Sequence, residues 1–202
     1  MTVRVKICGV TRADDAIASI EAGADLVGLN FYVPSPRCIS IERARIVRDA
    51  IGMRVKVVGV FVNATREYVH ERLRALSLDL LQFSGDEDEK MLAGWPVPVI
   101  AAYRVKTGEM GRVGTRIADF ILVDAFDSKL YGGTGSRISL EQLRNIDTSR
   151  AFIAGGLTPD NVADVAALLP YGVDCASGVE SSPGVKDHTK LRSFVANAKR
   201  AR

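Results

Sequence analysis

The sequence has little cysteine and little histidine. Its 202 residues include three cysteines and two histidines. The cysteines, Cys8, Cys38 and Cys175, form no C-x-x-C pair and show no metal-ligand spacing. An odd number without a disulfide framework is typical of a reducing compartment. We therefore expect neither a disulfide scaffold nor a metal centre.

Long apolar runs and strong charge are also missing. No run approaches membrane-spanning length, and the opening MTVRVKICG lacks the apolar region of a secretory signal. The net charge of +3 and the pI near 8.8 suit an anionic substrate but are too weak to indicate nucleic-acid binding. The closing AKRAR predicts a solvated helix end. The expectation is a cytoplasmic protein without a membrane or nucleic-acid partner.

Short β-branched runs alternate with helical patterns along the whole chain. Alternation of this kind predicts an α/β fold with parallel strands and right-handed crossovers. Eight units of about 25 residues suit a compact single-domain (β/α)8 barrel, a TIM barrel, over residues 1–202, because no linker divides the chain. An open, doubly wound sheet is the competing architecture. The predicted strands are 3–8, 26–31, 55–61, 78–83, 97–102, 119–124, 151–154 and 172–176.

The first predicted helix covers residues 11–23. Thr11 and Asp14 match a capping box, and Gly23 stands where a helix would end. The segments 40–51, 65–77 and 187–199 show the same helical spacing of apolar residues.

Cys8 closes the first strand. Because side chains alternate along a strand, Arg4, Lys6 and Cys8 share one face of VRVKIC, and the aliphatic residues share the other. In a barrel the aliphatic face packs against the helices, so Cys8 points into the mouth at the carboxyl ends of the strands. A buried structural thiol is the alternative, since free cysteine is often buried.

Asp124 ends the apolar strand DFILVD. A carboxylate there is costly to bury without a partner, and no helix pattern follows directly that it could cap. Strand ends are where acid/base groups with shifted pKa values are found. Cys8 and Asp124 could therefore face each other across the mouth as base and acid. His70 and His188 fall in surface-type helix patterns and are weaker candidates.

Two glycine-containing loops follow the seventh and eighth strands. AGGLTPDN contains Gly155 and Gly156, and ASGVESSPG contains Ser177 and Gly178. Glycine lets backbone N–H groups approach an anion, and barrels of this class bind phosphate with these two loops. A simple turn is the alternative for each loop alone.

Two further loops carry weaker signals. YGGTGSRI (131–138) lacks the residues of a P-loop or a dinucleotide fingerprint and is interpreted as a loop that closes over substrate. Arg37 follows prolines in YVPSPRC, where it suits either a carboxylate contact or plain surface.

The motifs together resemble the phosphoribosylanthranilate isomerase family, a (β/α)8 enzyme of tryptophan biosynthesis. The segments that carry the resemblance are VKICGVT, GLNFYVPSPR, VGVFVN, LLQFSGDE, VDAF…YGGTG, AGGLTPDNV and YGVDCASGVESSPGVKD. They run nearly end to end, and only the fifth unit, around VKTGEMGRVG, is uninformative.

The resemblance implies a cofactor-independent and metal-independent Amadori rearrangement of a small phosphosugar, by a monomer or a homodimer. It implies that Asp124 is the general acid and Cys8 the general base. Arg37 then holds the anthranilate carboxylate, and Asp174 contacts the sugar. Gly155, Gly156, Ser177 and Gly178 correspond to the phosphate loops.

One position departs from the family pattern. The family usually has histidine in Gln-Leu-His-Gly-Asp-Glu, and this chain has Ser84 in QFSGDE. Serine exchanges hydrogen bonds but does not titrate near neutral pH. Two rival interpretations remain: a sister phosphate-binding barrel with another sugar-phosphate reaction, and a catalytically silent paralogue that binds phospho-ligands. No lysine closes a strand, which disfavours the first, and retention of both Cys8 and Asp124 disfavours the second.

Overall fold

The computed structural model describes residues 3–105, 117–125 and 147–200. Helices and strands alternate along these residues as the sequence predicts, and a short antiparallel pair, β9 and β10, follows the last barrel strand. The strands are β1 Arg4–Ile7, β2 Leu26–Asn30, β3 Lys56–Phe61, β4 Leu80–Phe83, β5 Val99–Val105, β6 Phe120–Ala125, β7 Ala151–Ala154, β8 Gly172–Cys175, β9 Glu180–Ser182 and β10 Val185–Lys186. The helices are α1 Ala13–Glu21, α2 Ile41–Ile51, α3 Arg66–Leu76, α4 Glu89–Leu92, α5 Val162–Ala166 and α6 His188–Arg200.

Strands β1 to β8 form a closed parallel barrel in sequence order. The barrel closes where β8 pairs with β1, with Val173 beside Val5 and Asp174 beside Lys6. The (β/α)8 prediction is therefore confirmed, and the open sheet is excluded.

Apolar side chains pack on both faces of the barrel wall. The larger cluster joins the outer face to the helices and includes Val3, Val5 and Ile7, the aliphatic face of the first strand. A smaller cluster fills the barrel interior with Leu26, Val58, Leu80, Ile100, Leu122, Phe152 and Ala154. All seven inner residues have even numbers. Because side chains alternate along a strand, the residue two positions further along each strand also points inward. Those positions include Gln82 and Asp124, which place polar groups at the carboxyl-terminal mouth.

Some local predictions differ from the structure. The capping box at the first helix is wrong: α1 begins at Ala13 after Arg12, and the Thr11 hydroxyl donates instead to the Gly184 carbonyl at 2.5 Å. Gly23 does end α1, with a φ of +96° that favours glycine. The predicted loop YGGTGSRI lies outside the described part of the chain, and so does VKTGEMGRVG except for its first residue.

Aspartates tie neighbouring strands together at the amino-terminal end of the barrel. Asp25 accepts a hydrogen bond from the Val5 N–H at 2.7 Å, and Asp79 accepts one from the Val57 N–H at 2.9 Å. Asp119 repeats the contact with the Val99 N–H at 2.8 Å. Each aspartate directly precedes an even-numbered strand and binds the strand before it. The contacts fix the register at the end opposite the mouth.

Replacing Asp79 by alanine should lower the free energy of unfolding by about 1–3 kcal/mol, because the Val57 N–H loses its charged acceptor. Urea unfolding followed by circular dichroism measures this. Asp14→Ala is the matched control, since Asp14 makes an exposed ion pair of 3.7 Å with Arg12, a type of contact worth about 0–1 kcal/mol. Equal losses in the two variants would contradict the structural role of Asp79.

Candidate active site

A cavity of about 550 Å³ opens at the carboxyl-terminal mouth of the barrel. The structure brings every residue predicted for the site into its lining: Cys8, Arg37, Asp124, Gly155, Gly156, Asp174, Ser177 and Gly178. They come from the ends of β1, β6, β7 and β8 and from the loops after β2, β7 and β8. The mouth is the end where barrels of this class carry out chemistry.

Cys8 lies on the cavity wall above a buried ion pair. The Lys6 ammonium, which has no exposed surface, donates to Asp174 Oδ1 at 2.8 Å. Burial opposes the charge on Lys6, but the pull of Asp174 prevails, and the pKa of Lys6 lies above its ordinary value. Burial also raises the pKa of the Cys8 thiol, while the Lys6 charge acts in the opposite direction. The site therefore holds a thiol whose ionisation depends on a buried lysine.

Gly28 makes room for this arrangement. A Cβ atom at Gly28 would lie 3.0 Å from Cys8 Sγ and 3.2 Å from Lys6 Nζ. The sulfur and the ammonium thus border the same small space on β2, and any larger residue there would push them apart.

Asp124 extends from β6 into the same cavity. Burial in the mouth, reinforced by the negative charge of Asp174, raises the pKa of Asp124 to about 6, although Arg104 opposes the shift. A carboxyl group with this pKa retains its proton far better than an ordinary aspartate near neutral pH. Asp124 is therefore suited to donate a proton.

Arg37 is held by an ion pair rather than by its proline-rich loop alone. Its Nε donates to Glu180 Oε1 at 2.9 Å, and its Nη2 donates to Oε2 at 2.7 Å. Glu180 is fixed in turn by Lys186, whose ammonium also donates to the carbonyls of Cys8 and Ala176. The bidentate pairing sets the plane of the guanidinium at the edge of the cavity.

The two glycine-containing loops meet at close range. Gly155 and Gly156 have φ values of +89° and +61°, and Asn161 shapes their loop by donating to the Gly156 carbonyl at 3.0 Å. Ser177 begins a 3₁₀ turn, and a Cβ at Gly178 would lie 1.9 Å from the Leu157 carbonyl oxygen. Only glycine allows this approach, which packs the two loops against each other at the cavity.

Gly178→Ala should lower the affinity for inorganic phosphate at least tenfold, because the new methyl group must separate the two loops. Isothermal titration calorimetry with phosphate measures the change. Gly52→Ala is the control: alanine is strained there by the positive φ of +58°, but no atom lies near the added Cβ. It should lower stability and leave phosphate binding unchanged. Unaltered phosphate affinity in Gly178→Ala would contradict the proposed contact.

Sequence reasoning missed two site residues on inward positions. Lys6 was placed on the inward face but given no role, although a charged residue inside a barrel requires a partner. Gln82, on β4, lines the cavity and donates to the Ser84 hydroxyl at 3.1 Å, while its Oε1 is buried without a partner among the described residues. The sequence could have indicated Gln82, because it lies two residues after Leu80 on the same strand and therefore on the same inward face.

The two histidines lie away from the cavity lining. His70, on α3, lies beside Trp95 with the two rings tilted and their centroids 4.5 Å apart. His188 lies at the start of α6 with a partly exposed side chain, and its Nε2 contacts Asp15 Oδ1 at 2.8 Å. Neither imidazole lines the cavity with Cys8 and Asp124, and Ser84, not a histidine, lies in the lining beside Gln82.

The described residues show neither a metal-binding cluster nor a membrane-spanning helix. In residues 3–105, 117–125 and 147–200, no group of three or more His, Cys, Asp or Glu side chains is placed to hold a metal ion. No helix in that part of the chain is long and apolar enough to cross a membrane.

Comparisons with known proteins agree with one another. Residues 5–197 match the family model described as N-(5'phosphoribosyl)anthranilate (PRA) isomerase. An N-(5'-phosphoribosyl)anthranilate isomerase from Pseudomonas fluorescens (strain Pf0-1) is 45% identical over 197 residues, covering 96% of this chain and 97% of that protein.

Solved structures of the same kind superpose over nearly all of the chain. Phosphoribosyl anthranilate isomerase from Thermus thermophilus matches with a TM-score of 0.88 and 34% identity, covering 99% of this chain and 100% of that one. A phosphoribosyl anthranilate isomerase in complex with reduced 1-(o-carboxyphenylamino)-1-deoxyribulose 5-phosphate matches with a TM-score of 0.83 and 36% identity, covering 98% of this chain and 99% of that one.

Proposed function

The chain belongs to the N-(5'-phosphoribosyl)anthranilate isomerase family, and we propose from that premise how its cavity performs the family's reaction. The reaction converts N-(5'-phosphoribosyl)anthranilate to 1-(2-carboxyphenylamino)-1-deoxyribulose 5-phosphate by an Amadori rearrangement in tryptophan biosynthesis. The observation that carries the assignment of roles is the convergence of Asp124, Cys8, Arg37 and both phosphate loops on one cavity.

Asp124 is the general acid in this proposal. Its carboxyl group donates a proton to the ribose ring oxygen, the C1′–O bond breaks, and the nitrogen lone pair forms the C1′=N bond of a protonated Schiff base. Burial supports this role because the raised pKa of Asp124, about 6, keeps a transferable proton in reach near neutral pH.

Cys8 is the general base. Its thiolate takes the proton from C2′, and the freed electron pair forms the C1′=C2′ bond while the positive nitrogen is neutralised. The resulting enolamine loses its hydroxyl proton and gains a proton at C1′, which gives the ketone. The proton on Cys8 is finally returned to Asp124 through solvent, so the enzyme ends as it began.

The remaining residues bind and orient the substrate. Arg37 contacts the anthranilate carboxylate with the edge of the guanidinium that Glu180 leaves available, and Asp174 contacts the sugar hydroxyls. Backbone N–H groups around Gly155, Gly156, Ser177 and Gly178 hold the phosphate. We further propose that residues 1–202 act as one domain, in a monomer or a homodimer, with this phosphosugar as its ligand.

The first experiment is turnover of phosphoribosylanthranilate in a metal-free buffer with chelator, followed by the loss of substrate fluorescence. Turnover that resists the chelator supports both the reaction and its independence of a metal. A folded protein that binds the reduced product analogue without turnover would contradict the proposal. Ser84→His would then test whether the substitution in the β4 loop is responsible.

The pH dependence of kcat/KM should be bell-shaped, with an acidic limb near pH 6. The productive enzyme holds a protonated Asp124 and a Cys8 thiolate. Because the pKa of Cys8 is raised and that of Asp124 is about 6, the more abundant form instead holds an Asp124 carboxylate and a Cys8 thiol. The two forms carry the same number of protons, so their ratio does not change with pH. Activity therefore rises through pH 6 as the doubly protonated enzyme disappears, and falls above the ordinary thiol range.

Initial rates at low substrate concentration across pH 5–11 measure this profile. The affinity of the reduced product analogue over the same range is the control, because it separates ionisation of the phosphate from that of the enzyme. Activity that declines as pH rises through 6 would contradict the assigned order of the two pKa values.

A further inference from the structure

We propose that Lys6 is a positioning residue for this reaction: its buried ammonium lies beside the Cys8 sulfur and stabilises the thiolate that removes the C2′ proton. The proposal rests on the function assigned above and adds to it a residue that does not touch the substrate. Lys6 is fully buried on the inward face of β1, two residues before Cys8, and neighbouring inward residues share one side of a strand.

The geometry gives the ammonium two neighbours. One is Asp174 Oδ1 at 2.8 Å, which keeps Lys6 charged in the barrel. The other is the Cys8 sulfur: a Cβ atom at Gly28 would lie 3.0 Å from Cys8 Sγ and 3.2 Å from Lys6 Nζ, so the two atoms border the same space. A lysine ammonium has three donors, so a single carboxylate contact leaves donors for the sulfur.

A second buried lysine near Cys8 is arranged differently. The three donors of Lys186 go to the Cys8 carbonyl at 2.7 Å, the Ala176 carbonyl at 3.1 Å and Glu180 Oε1 at 3.0 Å. Lys186 therefore ties the loop after β8 to the end of β1 and is engaged by backbone oxygen rather than by the thiol. Of these two lysines, Lys6 is the one whose side chain faces the Cys8 side chain.

Opposite charges act on the thiol from the surrounding elements. The charged groups that face Cys8 are Lys6 from β1, Asp174 from β8, Lys186 from β10 and Arg37 from the loop after β2. Lys6 favours the thiolate, and Asp174 disfavours it. Removing one charge or the other should therefore shift thiolate formation in opposite directions, whereas damage to packing would not produce opposite signs.

The test is the rate of Cys8 alkylation by iodoacetamide in the free enzyme, measured from pH 6 to 11 by mass spectrometry of the Cys8 peptide. Cys38→Ser serves as the background, since Cys38 is the more exposed of the other two cysteines. Lys6→Met should slow alkylation roughly tenfold at pH 8. Asp174→Asn should accelerate it, because the amide oxygen still accepts from the Lys6 ammonium while the negative charge that disfavours the thiolate is gone. Rates at the alkaline plateau correct for altered access to the sulfur.

An unchanged or faster reaction in Lys6→Met, or the same direction of change in both variants, would overturn the proposal. If Lys6→Met does not fold, Asp174→Asn alone decides, because an alkylation rate that does not increase contradicts the opposed charges. Alkylation needs no substrate, so a failure of turnover in the parent enzyme would overturn the proposed function and leave this result standing.

A kinetic signature completes the test. In Lys6→Met the alkaline limb of kcat/KM should move to higher pH, and the plateau should fall by the same factor as the alkylation rate, since both follow the thiolate fraction. Lys6→Arg, which keeps the charge, should recover part of the plateau. A fall of the plateau without movement of the limb would mean that Lys6 acts only through packing.

Discussion

Replacing Asp124 by asparagine should reduce turnover by roughly 10²–10⁴-fold, because an amide has no proton to give to the ribose ring oxygen. The substitution keeps the size of the side chain and leaves β6 paired with β5 and β7. Steady-state assays and single-turnover measurements give the loss in kcat. Titration with the reduced product analogue should show nearly unchanged affinity, since the phosphate loops and Arg37 are untouched.

The free energy of unfolding is the control for Asp124→Asn, and the pKa of Asp124 predicts the direction in which it changes. The pKa of Asp124 is about 6 in the native protein, above the ordinary value of the unfolded chain. The native state therefore binds more protons, and its stability falls as pH rises from about 4 to 6. Asparagine escapes this penalty, so Asp124→Asn should be more stable by about 1–2 kcal/mol at pH 8, allowing for partial exposure of the side chain. Near-normal turnover in this stable variant would remove Asp124 from the mechanism.

Replacing Cys8 by alanine should abolish turnover to a comparable degree, because the proposed mechanism removes the C2′ proton with the Cys8 thiolate. Cys8→Ser is the closer mimic in shape, but its hydroxyl does not ionise near neutral pH and should restore little activity. Both variants keep the backbone contacts of position 8, the N–H to the Cys175 carbonyl at 2.8 Å and the carbonyl to Lys186 at 2.7 Å. The measurement is product formation over hours with enzyme in excess.

Cys38→Ser is the matched control for the loss of a thiol, since Cys38 lies on the loop after β2 outside the cavity lining. It should retain turnover, and prior treatment with iodoacetamide should still inactivate it through Cys8. Substantial activity in a folded Cys8→Ala protein would show that the C2′ proton leaves by another route. A Cys8→Ala protein that no longer binds the product analogue would show instead that Cys8 holds the pocket open.

Much of the fold follows from local periodicity. Alternation of period two selects the inward face of each strand, and helical spacing selects the face of each helix that packs on the barrel. These properties depend on near neighbours, which is why strands β1 to β8 and the long helices α1, α2, α3 and α6 lie close to their predicted ranges. The same logic places Cys8 and Asp124 at strand ends, facing the mouth.

Local signals fail where a distant contact competes. The capping box at Thr11 is the clear case, because its hydroxyl binds the Gly184 carbonyl on a turn 173 residues away in sequence. The sequence pattern around Arg37 suits either a surface residue or a carboxylate contact. Its orientation at the cavity edge depends on Glu180, 143 residues away.

The sequence by itself determined the strand and helix pattern, the inward face of each strand, the acid and base candidates and the glycines of the phosphate loops, because each depends on residues a few positions apart. Only the tertiary structure decided what these groups contact. Lys6 meets Asp174 across 168 residues because the barrel closes between β8 and β1, and Gly178 approaches Leu157 because β8 pairs with β7. Closure depends on packing of the whole chain, and it sets the charges around Cys8 on which the chemistry depends.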